Sequence, residues 1–266
     1  IGPHGWLRFP QNFALLLVIS VGVSTVSWVL FALIRESPSR SSSRRLGLMA
    51  HLVHGVRLVR RHKEYRRYIR ARLLLGAAAG IRPFFIVFAS KVWHLSDEVA
   101  GTFLALQLGA EVFGSVVAGQ ASDRIGNRSV MIMASVALTL AAAIASLATF
   151  APWGSPAAFQ DSFASQEVLV LGAAFVGAGF FMTSLGIGSS NYIMDIAPDR
   201  QRPSYLAFVS AFTLPLALVP PAYGWAADTI GFRIVFLTGL ALSLVALALV
   251  LRLPEPRDEL SEEDLE

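Results

Sequence analysis

Seven apolar runs organise the chain, at residues 13–34, 73–92, 99–118, 130–150, 168–193, 205–226 and 234–251. Each is close to the ~20 residues a helix needs to cross about 30 Å of hydrocarbon at 1.5 Å per residue. The runs lack the alternation of a membrane β-strand, and backbone groups in lipid must be satisfied within their own segment. The pattern therefore predicts an all-α membrane protein with seven transmembrane helices.

The runs differ in polar content. Those at 130–150 and 234–251 hold no ionisable residue and are expected to face lipid all round, and 13–34 carries only hydroxyls. Arg82 lies in 73–92, Gln107 and Glu111 lie in 99–118, and Thr183, Ser184, Ser189, Ser190 and Asn191 lie in 168–193. Pro215, Pro220 and Pro221 should kink 205–226. GAAAG, residues 76–80, has the GxxxG spacing that lets helix backbones approach closely.

An ionisable group at mid-bilayer costs at least ~2.5–3.5 kcal/mol by insertion scales, so such groups usually face protein or a water-filled cavity. Arg82 is about 15 Å from the basic end of its helix at Arg72, and Glu111 lies at similar depth in the next, antiparallel helix. An Arg82–Glu111 pair near the midplane is the natural expectation. It reads either as a substrate or proton-coupling site, with Gln107 and Asn191 beside it, or as a structural ion pair.

Charge fixes the expected orientation. Alternating through the seven runs puts eighteen Lys and Arg on one side, twelve of them at 35–72, and three on the other. The positive-inside rule then places the N-terminus outside and the C-terminus in the cytoplasm. The net charge of +4 is thus a topology signal, not a nucleic-acid footprint. Composition agrees: 15% of residues are charged, against about 25% in soluble domains, and mean hydropathy is +0.59. The absence of Cys, and of any HxxxH spacing, removes thiol chemistry and the common zinc sites. No cofactor or metal is expected.

The connections divide the chain into four parts. Residues 1–34 form an outer segment with the first helix. Residues 35–72 form a basic cytoplasmic linker, whose apolar face from Leu46 to Val59 fits either an amphipathic helix on the anionic inner interface or a solvated linker helix. Residues 73–252 hold the remaining six helices, and 253–266 form an acidic tail. The first residue is Ile, so the chain is expected to be part of a longer protein.

The most informative stretch is GQASDRIGNR, residues 119–128, a charged turn on the basic side between two apolar runs. Its pattern, G-x-x-x-D-R-x-G-x-R, resembles the cytoplasmic loop signature of the major facilitator superfamily (MFS). The matching positions are Gly119, Asp123, Arg124, Gly126 and Arg128; Asn127 departs, standing where a basic residue is usual. GWAADTIGFR at 224–233 echoes the same skeleton, and IAPDRQRPSY at 196–205 resembles the family's connection between its tenth and eleventh helices. The resemblance implies that the chain is helices six to twelve of a twelve-helix secondary transporter. Its last six helices would form an MFS-type half-bundle, with the seventh, eighth, tenth and eleventh bordering a central cavity.

The implied partners are a small-molecule substrate, protons as coupling ion, the lipid bilayer of a plasma (bacterial inner) membrane, and the missing N-terminal half. The turn would act as a conformational latch. Arg124 or Arg128 would reach Asp195, with Gly119 and Gly126 giving close packing and a tight reversal, and Arg202 on the adjoining connection. The plainer reading is a topology anchor with a capped turn. A seven-span receptor or photosensor is the alternative function, although 234–251 lacks the Lys a retinal pigment needs. No paired acids or His cluster supports an enzyme, and GxxxxGK[ST] is absent.

Overall fold

The computed structural model describes residues 11–34, 62–95, 97–150, 166–198 and 201–255. Expectations for the linker up to residue 61, for the 151–165 connection and for the acidic tail beyond residue 255 fall outside them. The chain divides into two units, Ile1–Leu46 and Gly47–Glu266.

The first unit contains α1, Gln11–Ala32. Its described side chains are all exposed, as an apolar helix meant for lipid requires. Thr25 returns its hydroxyl to the Val21 carbonyl at 2.7 Å, which satisfies a polar group without leaving the helix.

The second unit is built from α2 (Lys63–Ala79), α3 (Pro83–Val92), α4 (Asp97–Ile125), α5 (Asn127–Ala148), α6 (Gln166–Ile196), α7 (Arg202–Thr213), a 3-10 segment (Leu214–Leu218), α8 (Val219–Thr229) and α9 (Phe232–Val250). These make six spans, because α2 with α3, and α7 with α8, each form one broken span. With α1, seven helical stretches are long and apolar enough to cross a membrane. The protein is an integral membrane protein.

The helices run past the apolar runs. α2 begins at Lys63, nine residues before Arg72, so residues expected in the linker belong to the bundle. The cause is the tyrosines. Tyr65 and Tyr68 are fully buried among Tyr192 and Tyr205, and their hydroxyls find partners. Tyr65 donates to the Tyr205 carbonyl at 3.0 Å, and Tyr68 pairs with the Ser189 hydroxyl at 2.6 Å. Arginines between them hide that buried face from a hydropathy reading. This tyrosine layer fills one end of the bundle, and Phe85, Phe88, Phe103, Phe175 and Phe236 fill the other.

The expectation that 130–150 and 234–251 face lipid all round is wrong. On α5, Ala134, Leu138, Ala141, Ala142 and Ala145 are fully buried. Small residues at helical spacing let neighbouring backbones come close. A Cβ on Gly177 would sit 3.1 Å from the Ala141 Cβ, so the α5 alanines and α6 glycines are one contact. α6 lies between α4 and α5, and α9 packs on α5 and α2.

α5 and α9 are tied at both ends by the same device. Gly126, with φ +87°, precedes α5, and Gly231, with φ +106°, precedes α9. Two residues after each glycine stands an arginine. Arg128 Nη2 donates to the carbonyl of Leu251, the C-cap of α9, at 2.9 Å. Arg233 Nη2 donates to the carbonyl of Thr149, the C-cap of α5, at 3.1 Å, with its guanidinium 4.2 Å from the Phe150 ring centre. Each helix start thus caps the other helix's end, where carbonyls are unpaired and the dipole favours a cation. The echo between 119–128 and 224–233 has this structural meaning. Arg233→Gln should lower the melting midpoint by about 2–4 °C, as loss of ~1 kcal/mol does in a unit of this size. A thermal melt in detergent checks it; an unchanged midpoint would show that the Thr149 contact holds nothing.

Candidate functional site

Two helix breaks face each other inside the bundle. Pro83 cannot donate to the Ala79 carbonyl, so α2 ends there and the chain passes through a tight turn at 80–82. Arg82 uses the freed acceptor twice, donating to the Ala79 carbonyl from its backbone N–H and from Nε, each at 3.2 Å. In the other broken span, Pro215 and Pro220 interrupt the ladder, and Leu214–Leu218 winds as a 3-10 helix where a kink was expected. Gly76 and Gly80 seat this segment against α2. A Cβ on Gly80 would press on Val219 and on the Tyr223 ring, and one on Gly76 would occupy the place of Leu216.

Between the breaks lies a cavity of about 400 Å3. Arg72, Gly80, Arg82 and Pro83 line it from one broken span, Phe181 and Leu185 from α6, and Thr213, Leu216 and Pro220 from the other broken span. Of the four helices expected to border the cavity, the one equivalent to the eighth, α4, contributes no lining residue.

Arg82 sits at the break between α2 and α3, and its guanidinium lies 5.7 Å from the Phe181 ring centre. The expected ion pair is not formed: Arg82 and Glu111 are not within 4.0 Å of each other, whereas Lys91 lies 3.1 Å from Asp228 at the end away from the 119–128 turn. Glu111 accepts instead from Gln107 Nε2 at 3.1 Å, one turn away on α4. The rotation of α4 about its axis was not readable from residue counts. α4 turns to meet α6, where Thr183 donates its hydroxyl to the Glu111 carbonyl at 3.0 Å.

The 119–128 stretch is less of a loop than its composition suggested. Residues 119–125 complete α4, and the reversal is confined to Gly126. A Cβ there would meet the Glu255 carboxylate and the positive φ would strain it, so both terms favour glycine. Gly119 is different: a Cβ would meet nothing within 4 Å, so the close packing expected of it is not made in this bundle. Asp123 and Arg124 are exposed on the last turn of α4.

Asp195 does receive a partner, but not from an arginine. Asn127 Nδ2 donates to Asp195 Oδ2 at 2.6 Å, Ser122 donates its hydroxyl to Asn127 Oδ1 at 2.5 Å, and Asn191 Nδ2 donates to Ser122 Oγ at 3.2 Å. The contact expected from Arg124 or Arg128 is made by the residue that departs from the signature. Arg128 turns instead to the Leu251 carbonyl. Asn191 is displaced as well: it belongs to this polar cluster, not to the cavity, because it shares a face of α6 with Asp195 one turn later. Arg202 donates from Nε to the Met194 carbonyl at 3.1 Å, at the end of α6. Arg72 was missed as a cavity residue. The available signal was Tyr65 and Tyr68 just before it, which continue the helix inward.

The geometry defines a class: a membrane-embedded helical bundle whose broken helices enclose a cavity bearing cationic side chains. The chain belongs to the major facilitator superfamily, whose family model matches residues 71–265. Two solved structures share the fold. The inward-open conformation of the xylose transporter XylE from E. coli matches with TM-score 0.57 and 18% identity over 73% of this chain and 48% of that one. The D-xylose-proton symporter matches with TM-score 0.52 and 18% identity over 79% and 50%. The chain spans about half the length of these structures. No curated protein matches it. Membership of this family does not favour the receptor alternative.

Proposed function

We propose that the chain forms one half of a secondary active transporter in the plasma membrane, moving a small solute by alternating access around the cavity between its two broken helices. Arg82 carries this reading. It is a charged residue within a spanning helix, at a helix break and on a cavity wall, as membrane transporters build their substrate sites. The end bearing Gly126 faces the cytoplasm, in keeping with the basic excess there. The cluster of Ser122, Asn127, Asn191 and Asp195, with Asp123 and Arg124 beside it, is a latch that closes that end. It joins α4, α5 and α6 through contacts that a rocking motion can break.

Glu111 is placed to carry a coupling proton: it is a carboxylate within a spanning helix, held by Gln107 and not tied up in an ion pair. Coupling would resemble that named for the D-xylose-proton symporter. Glu111→Gln should abolish stimulation of uptake by an imposed proton gradient while leaving solute exchange at equal pH within about twofold. Proteoliposomes holding the full-length protein give both readouts. Gradient-driven uptake that persists in the variant refutes the coupling role, and the absence of any saturable flux under either condition refutes transport.

A further inference from the structure

The cavity wall carries two guanidinium groups and no carboxylate. Arg82 has the Ala79 carbonyl and the Phe181 ring. Arg72 has less. It is half-buried, its Nε is enclosed without a hydrogen-bond acceptor, and no carboxylate among the described residues lies within 4 Å of it. Two such cations inside a membrane span are costly, and the surrounding protein compensates them only in part.

We propose that this cavity takes an anionic solute, through a carboxylate or phosphate group bound by Arg72 and Arg82. This rests on the transporter reading above and gives it a substrate class. The two arginines stand ten residues apart, roughly 15 Å along the axis, yet both reach the same cavity. A small anion between them, or a solute with acidic groups at both ends, neutralises a charge that a neutral sugar, whose hydroxyls can accept hydrogen bonds, leaves uncompensated. The planar fork of each guanidinium matches the paired oxygens of carboxylate and phosphate, which an ammonium does not. Thr213 adds a hydroxyl, and Phe181, Leu185 and Leu216 supply the apolar remainder. A cationic solute would meet repulsion from the same pair.

The test is a thermal-shift titration of the purified full-length protein with succinate, inorganic phosphate, D-xylose and L-lysine. Succinate or phosphate should raise the melting midpoint by several degrees, whereas D-xylose and L-lysine should not. Arg72→Gln and Arg82→Gln should each remove the shift. Arg72→Lys, which keeps the charge and loses the fork, should need about tenfold more anion, a difference of ~1.4 kcal/mol. The proposal is overturned if neither anion shifts the midpoint, or if an anion shift survives both Gln variants. Flux measurements separate the two ideas. Saturable flux of a neutral solute, with no anion shift, leaves transport standing and removes the anionic substrate. Anion binding without flux does the reverse.

Discussion

Arg82→Ala should cut solute uptake by about a hundredfold while the protein remains expressed and membrane-inserted. The size follows from losing a charged contact to substrate worth up to ~3 kcal/mol, where each 1.4 kcal/mol is a factor of ten. Survival of the fold follows from the partners. Arg82 is not ion-paired, so its removal strands no carboxylate: Glu111 keeps its bond from Gln107. The Ala79 carbonyl keeps the backbone N–H of residue 82, and the Phe181 ring loses only a cation above it. Uptake assays on proteoliposomes, normalised to reconstituted protein, decide the matter. Activity within twofold of the parent would place the substrate elsewhere.

Gly179→Val should have the largest effect on folding. A Cβ at Gly179 would run into the backbone carbonyl of Gln107, with the Ala110 Cβ beside it. Backbone cannot swing aside as a flexible side chain can, so α4 and α6 must separate. Overpacking typically costs 1–3 kcal/mol and here also threatens the nearby Thr183–Glu111 contact at 3.0 Å. Loss of the monodisperse peak on size-exclusion chromatography is the expected result. Gly186→Ala is the control, since a Cβ there meets nothing within 4 Å and alanine favours the helix by roughly 1 kcal/mol. A normal elution profile for Gly179→Val would mean that the α4–α6 crossing is looser than the structure shows.

The spans were legible in the sequence because hydrocarbon thickness dictates their length whatever they pack against. Their ends were not. Residues 119–125 are polar and still helical, because an α-helix can leave the membrane without unwinding. Lys63–Arg72 looks like linker because Arg66, Arg67 and Arg70 mask Tyr65 and Tyr68, which face the core. Position along a helix follows from counting; rotation about its axis does not. That is why Arg82 was found at the cavity while Glu111 turned to Gln107 and Asn191 to Ser122. The partner of Asp195 lay 68 residues away in sequence. A pattern could mark Asp195 as an acid awaiting a donor, but it could not say that the donor would be Asn127.

The reciprocal caps on α5 and α9 bear on how such a bundle can move. Two helices joined at one end can scissor, and two joined by side-chain packing can slip by a turn. Joined at both ends, in opposite directions, they can do neither without releasing Arg128 from Leu251 or Arg233 from Thr149. Shear along their shared axis is the degree of freedom this removes. The pair behaves as the fixed side of a frame, and the two proline-broken spans, one of them packed directly on α9, are the members left free to flex.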